Sequence, residues 1–334
     1  MKVLLRTYST LLLISALLAG NTVFAEGDPL VKKTKNYSKS YTVSNSDKVS
    51  FDNRFGELKI NTWDRNEVKV DVTMSAEANS DEKAQKILDA ISIIDGKNGN
   101  RVFFKTKIEE SKKNKHDDWD KGEKQGFNID YVVYMPSRNP LDAHNEFGAL
   151  TIGDYNGEIE LECKFGNLTA GKLYNAKRVN VEFGKATIGS VSNGDVIIKF
   201  SKASIGNIDG VIDANFEYCD GVKLNVSNNV KKLNVKNSFT SLYLDLSTNL
   251  SATYDISTSF SEVNNKSNFS IKEDDDDRDD HGPKFDHQYN GKSGSGTIPV
   301  KVKSSFGEIT IGHNLPDNVV NEPNKKQKKK TTSI

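Results

Sequence analysis

The sequence predicts a mainly β protein, a parallel β-solenoid (β-helix) with Phe-Gly corner repeats and one helix in its N-terminal part. Three observations predict it. Phe recurs at Phe147, Phe165, Phe183, Phe200, Phe216, Phe239 and Phe260, at intervals of 18, 18, 17, 16, 23 and 21 residues. Apolar residues stand at fixed offsets on both sides of each Phe with a period of two. Turn pairs punctuate the run at Asn156-Gly157, Asn193-Gly194 and Asp209-Gly210. Self-similarity at a near-fixed interval marks a repeat architecture, in which each unit buries its apolar face against its neighbours.

The chain opens Met1-Lys2-Val3-Leu4-Leu5-Arg6, runs through the apolar stretch Leu11–Leu18 and reaches Val23-Phe24-Ala25. A positive start, a short apolar middle and a small-residue exit predict a cleaved signal peptide at 1–25 and an exported product, periplasmic or cell-surface/extracellular. No later run approaches the roughly 18 apolar residues of a membrane-spanning helix. Cleavage removes Lys2 and Arg6 and no acid, leaving 44 basic and 46 acidic residues, a net charge of −2. That balance argues against a nucleic-acid partner. Charges make up 28% of the chain, as expected where every coil has an outer face in water.

Residues 26–40 read as a flexible leader, and 41–142 as a β-rich part. Strands are expected at Tyr41–Val43, Val49–Phe51, Glu57–Trp63 and Glu67–Val72, with a tight turn at Asp64-Arg65-Asn66. A helix is expected over about 80–95. Asn79 or Ser80 would cap it, and Ala84, Ile87, Leu88 and Ile91 share one face. Strands resume at Arg101–Phe104 and Asn128–Pro136, around an exposed charged loop, Glu109–Gln125.

The solenoid is expected over 143–312. Gly follows Phe at Phe55-Gly56, Phe147-Gly148, Phe165-Gly166, Phe183-Gly184 and Phe306-Gly307, and is replaced after Phe200, Phe216, Phe239 and Phe260. Taking Phe165 as origin, Leu161 and Cys163 precede it by four and two, and Leu168 and Ala170 follow by three and five. Parity changes across the corner, so one extra residue is absorbed there, as at a bulge. Gly would supply the positive φ of that bend, and the Phe rings would form a ladder on the inner wall. A second corner is expected eight residues after Phe, at Tyr155, Leu173, Val191 and Ile208. Residues 272–296 read as an acidic insertion, and 313–334 as a disordered basic tail.

Cys163 and Cys219 fall on opposite sides of the corner about three coils apart, roughly 14 Å along the axis. A disulfide needs Cα atoms within about 7 Å, so both are expected unpaired. The outward positions hold Glu158, Glu160 and Glu162, then Asn180, Glu182 and Lys199, which read as a solvated face. The run Glu273–Asp280 with His281 and His287 lacks the Gly-bend spacing of a calcium loop, and His116-Asp117-Asp118-Trp119-Asp120 is equally featureless. Trp63, Trp119, Tyr155 and Tyr174 could stack on sugars but read first as packing. No phosphate loop, zinc spacing or nucleophile elbow is present. No catalytic, metal or cofactor residues are therefore expected.

The stretch Asn53–Val70, with Tyr131–Pro136, Asn145-Glu146-Phe147-Gly148 and Ser304–Ile311, resembles the Bacteroidetes putative-adhesin family of exported solenoid proteins. The resemblance implies a β-solenoid in the cell envelope, no catalytic residues, and an adhesive or scaffolding role toward a cell-surface, matrix or glycan ligand. Two other classes stand beside it: a polysaccharide-processing β-helix enzyme, and a periplasmic partner of an envelope-stress signalling system.

Overall fold

A computed structural model describes residues 30–109, 125–274 and 285–316. The expected signal peptide, most of the charged loop with His116–Asp120, Asp275–Asp280 with His281, and nearly all of the basic tail lie outside them. The described residues are mainly β, with one helix.

In the N-terminal part, β1 (Val31–Thr42), β2 (Lys48–Arg54), β3 (Leu58–Trp63) and β4 (Glu67–Ala78) precede helix α1 (Asp81–Asp89), and β5 (Ile91–Asn98), β6 (Arg101–Ile108) and β7 (Gly126–Pro136) follow it. Ser80 caps α1, its Oγ accepting the Lys83 N–H, with Asp81 and Glu82 at the positive end of the helix dipole. The helix is shorter than the expected 80–95. Ile91 opens β5 instead, pairing with Ile108, because β-branched Ile91, Ile93 and Ile94 suit a strand. The stretch expected as a flexible leader also differs: from Val31 it forms β1, antiparallel to β4 along its whole length. Its polar outer face hides two anchors, Tyr37 and Tyr41, which pack on the core and donate to the Asp95 carboxylate.

β8 (Leu141–Glu146), β9 (Leu150–Ile152), β10 (Tyr155–Lys164), β11 (Asn167–Glu182), β12 (Lys185–Lys199), β13 (Lys202–Glu217), β14 (Gly221–Ser238) and β15 (Leu242–Leu246) follow. Each successive rung pairs in parallel with the last: Leu161 with Val179, Val181 with Ile198, Leu168 with Ala186, Ala186 with Ala203. The residues four and two before the corner and three and five after it are buried, and so are Tyr155, Leu173, Val191 and Ile208. Burial on this scale, about 25 cal/mol per Å² of apolar surface, is what holds the rungs together.

The chain ends with β16 (Ala252–Ser259), β17 (Val263–Asn265), β18 (Ser270–Glu273), β19 (Asp286–Lys292), β20 (Ile298–Ser305) and β21 (Ile309–Gly312). Two segments enter the stack out of sequence order. β2–β3 lies between β6–β7 and β8–β9. β20–β21 lies between β14–β15 and β16–β17. Antiparallel β5 on β6 and β19 on β16 cover edges that would otherwise recruit foreign strands. The region expected as an acidic insertion thus contributes a hairpin, β18–β19, to the sheet.

Cys163 and Cys219 are free and buried. Burial pushes the Cys163 thiol up to about 11, and the Cys219 thiol in the same direction. The native protein at pH 8 should therefore react with a disulfide reagent at least ~100-fold more slowly than the unfolded chain, because the thiolate is the nucleophile. Denaturation should release two equivalents. Fast native labelling would contradict this burial.

Candidate functional site

The residue at the corner, not its Gly, carries the positive φ. Phe55, Phe147, Phe165, Phe183, Phe200, Tyr218, Phe239, Phe306 and Phe260 have φ between 49° and 64°. A left-handed residue turns its Cβ away from the interior, so it and the residue before it both face outward. That absorbs the parity change, and it corrects the inner-wall expectation. From Phe147 to Phe260 the ladder residues are 40–54% exposed, while Phe55 is half-buried beside Phe127. Phe216, expected as a corner, is fully buried two residues before it, and Tyr218 takes the corner position.

The recurring Gly has a different role: close approach. A Cβ on Gly148, Gly166 or Gly184 would lie 1.8–1.9 Å from the carbonyl oxygen of the corner Gly one rung away. Where Gly is absent, Ser and Thr take up the backbone. Ser201 Oγ accepts the Gly184 N–H, Thr240 Oγ1 the Cys219 N–H and Ser261 Oγ the Gly307 N–H. The corners there are no wider: ring spacing stays at 4.7–5.2 Å.

In spatial order the rings run Phe55, Phe147, Phe165, Phe183, Phe200, Tyr218, Phe239, Phe306, Phe260, with centroids 4.7–5.2 Å apart and interplanar angles of 2–10°. Phe285 continues the stack at 4.7 Å, and Phe127 closes the other end edge-on. At the strand spacing the stack is about 40 Å long. Each ladder N–H is bonded to the next rung, for example Phe165 to Glu182 O at 2.9 Å and Phe306 to Ser259 O at 3.0 Å. Left-handed backbone costs roughly 1–3 kcal/mol per residue, offset here by these bonds and by about 0.5–1.5 kcal/mol per aromatic pair. Inner rings have both faces covered, so only their edges reach solvent. Sugars stack on faces; this strip offers none along its length.

A charged border runs beside the ladder, one residue before each ring: Arg54, Glu146, Lys164, Glu182, Lys199, Glu217. The sign alternates at every rung. Arg54 Nε lies 2.9 Å from Glu146, Lys164 Nζ 4.0 Å from Glu182 and Lys199 Nζ 3.1 Å from Glu217. The hydrogen bond from Asn215, with Lys199, holds the Glu217 carboxyl below the usual carboxylate range. The next three rungs replace the charges with Ser238, Ser305 and Ser259. These open onto a groove of about 780 Å³, bounded by Lys236 and Lys303 and walled by Asp286 and His287 of the hairpin.

The remaining candidates are engaged with their neighbours. Glu160 pairs with Lys177 and Glu162 with Lys164, each at 2.7 Å. The Lys177 hydrogen bond lowers the Glu160 carboxyl; partial burial opposes the effect at Glu162, but Lys164 still holds it low. His287 Nδ1 lies 2.7 Å from Glu273. Trp63 is covered by Tyr134 and by the Arg65 guanidinium, Tyr155 is buried with its hydroxyl on Asn139 O, and Tyr174 is exposed. Among the described residues no group of three or more His, Cys, Asp or Glu could hold a metal ion, and no helix is long and apolar enough to cross a membrane.

No family model and no curated protein matches the chain. Solved structures do. A putative cell adhesion protein from Clostridium sporogenes aligns at 12% identity and a TM-score of 0.24, covering 84% of this chain and all of the other. A putative adhesin from Parabacteroides distasonis aligns at 10% identity and 0.23, covering 84% and 97%. A putative adhesin from Bacteroides fragilis aligns at 16% identity and 0.27, covering 83% of this chain and 97% of that one.

Proposed function

We propose that this chain is a non-enzymatic, exported cell-envelope protein, an adhesin or scaffold, that binds through the outer face of a β-solenoid. On this reading residues 1–25 are the signal, the solenoid takes in the β2–β3 rung as well as 143–312, and the basic tail follows it. The observation that carries the reading is the exposed aromatic ladder. Monomeric proteins rarely leave so long a contiguous apolar strip in water, and such strips mark interaction sites. The rungs beneath are fixed by hydrogen bonds on both sides, so the strip is rigid and loses little entropy on docking. Because only ring edges are presented, the partner class is a protein surface, rather than a glycan held by stacking. The ion pairs that tie Glu160 to Lys177 and Glu162 to Lys164 hold both carboxylates ionised and favour the binding reading over a glycan-cleaving one.

Arrays of cell-surface and matrix proteins, with the mature chain itself among the spots, test this, probed with the mature chain and with Phe165→Asn/Phe183→Asn. Asn tolerates the left-handed backbone, so the double variant keeps the rungs and loses two apolar edges. Binding of the wild type, and at least ~10-fold weaker binding of a folded variant, about 1.4 kcal/mol, is expected. Equal binding by both, or none by the wild type, would sink the proposal.

A further inference from the structure

The border charges point to an occupant. We infer that the ladder face docks on a second copy of this chain, two-fold and antiparallel, with the axis crossing the ladder between Phe165 and Phe183. This rests on the ladder being a docking face and names its partner.

The argument is one of symmetry. A two-fold axis lying across the ladder reverses its direction and sets the border of one copy against the border of the other. Six alternating charges, read against their own reverse, place opposite signs together at every rung. Arg54 meets Glu217 of the other copy, Glu146 meets Lys199, and Lys164 meets Glu182. An odd number of alternating charges would set like against like. A two-fold axis along the ladder would put the two borders on opposite sides. The rung spacing is common to both copies, so the match holds over all six rungs, and complementary potentials of this kind fix register and partner.

The area is sufficient. Rings exposed as these are present about 500 Å² over six rungs, and the flanking charged side chains bring the patch toward the ~800 Å² per partner of a standard interface. The three serine rungs overhang, leaving the C-terminal groove open. On the far side of the ladder, two residues after each ring, one like-charge meeting remains: Glu57 faces Asp220. Glu57→Lys should therefore tighten the assembly.

Sedimentation of the full mature chain from about 1 to 100 µM reads the equilibrium. The wild type should dimerise. Two swaps that leave net charge unchanged then separate the geometries. Glu146→Lys/Lys164→Glu places like charges together at four of the six rungs and should weaken dimerisation at least ~10-fold. Lys164→Glu/Glu182→Lys creates as many like-charge neighbours within one copy, yet preserves every contact between copies, and should leave dimerisation within ~3-fold. Thermal melts check that both swaps fold, and the tightening by Glu57→Lys is a gain that unfolding cannot mimic. A wild type monomeric throughout, or two swaps of equal effect, would overturn the inference. If that monomer still lost array binding on Phe165→Asn/Phe183→Asn, the docking face would stand and only its occupant would change.

Discussion

Asp245→Ala is expected to cost about 3–5 kcal/mol, as much as emptying a large core position. Lys223 Nζ lies 3.5 Å from the Asp245 carboxylate, with side chains only 3% and 13% exposed. The same ammonium donates to Leu315 O at 2.6 Å, and the Leu315 N–H donates to Asp245 Oδ2 at 3.1 Å. The pair therefore clasps the chain just after β21, the segment inserted between two earlier rungs. Truncating the carboxylate removes a buried counter-charge 3.5 Å from the ammonium and the acceptor of the Leu315 N–H. Replacing both partners with apolar residues, Lys223→Met/Asp245→Leu, removes the charge and its desolvation cost together, so the double variant should be more stable than Asp245→Ala. Urea melts with a double-mutant cycle measure this. A cost under about 1 kcal/mol, or strict additivity, would show the clasp to be weak.

Gly166→Ala comes next, at about 2–3 kcal/mol. Its Cβ would stand 1.8 Å from the Gly148 carbonyl oxygen, and the atom in the way is backbone fixed in a parallel ladder, not a side chain that can swing aside. The rung must shift and take the neighbouring stacked rings with it. For a chain of this size the loss is roughly 3–5 °C in Tm. Gly153→Ala, with open space around its added methyl, is the control and should change little. Equal melting of the two variants would refute close approach as the reason for Gly at the corner.

The mainly β class and the buried positions were readable because burial imposes a period of two along a strand and leaves apolar residues at countable positions. Leu161, Cys163, Leu168 and Ala170 all stand where that count puts them. Three things were not readable, each for a physical reason. The direction of the Phe rings is set by a left-handed backbone that aromatic residues seldom adopt, so the ordinary preference for a buried Phe pointed the wrong way. Tyr218 was passed over for Phe216 because the two differ by two residues and so share strand parity. The out-of-order entry of β2–β3 and β20–β21 depends on pairing between segments far apart in the chain, which local pattern does not encode. The candidate site stood in between. Two of the alternating charges, Glu182 and Lys199, read in the sequence as a solvated face, and the alternation itself emerges only where the rungs align the six beside an exposed ladder.

The most direct test of an outward, binding ladder is hydroxyl-radical footprinting of the dilute mature chain, read residue by residue by mass spectrometry. Phe165, Phe183 and Phe200 should be oxidised readily, and Phe51, Phe104 and Phe216 spared, with the ladder rings becoming protected when the chain is concentrated or a target is added. Spared ladder rings in the dilute chain, or labelling unchanged by either treatment, would contradict the account.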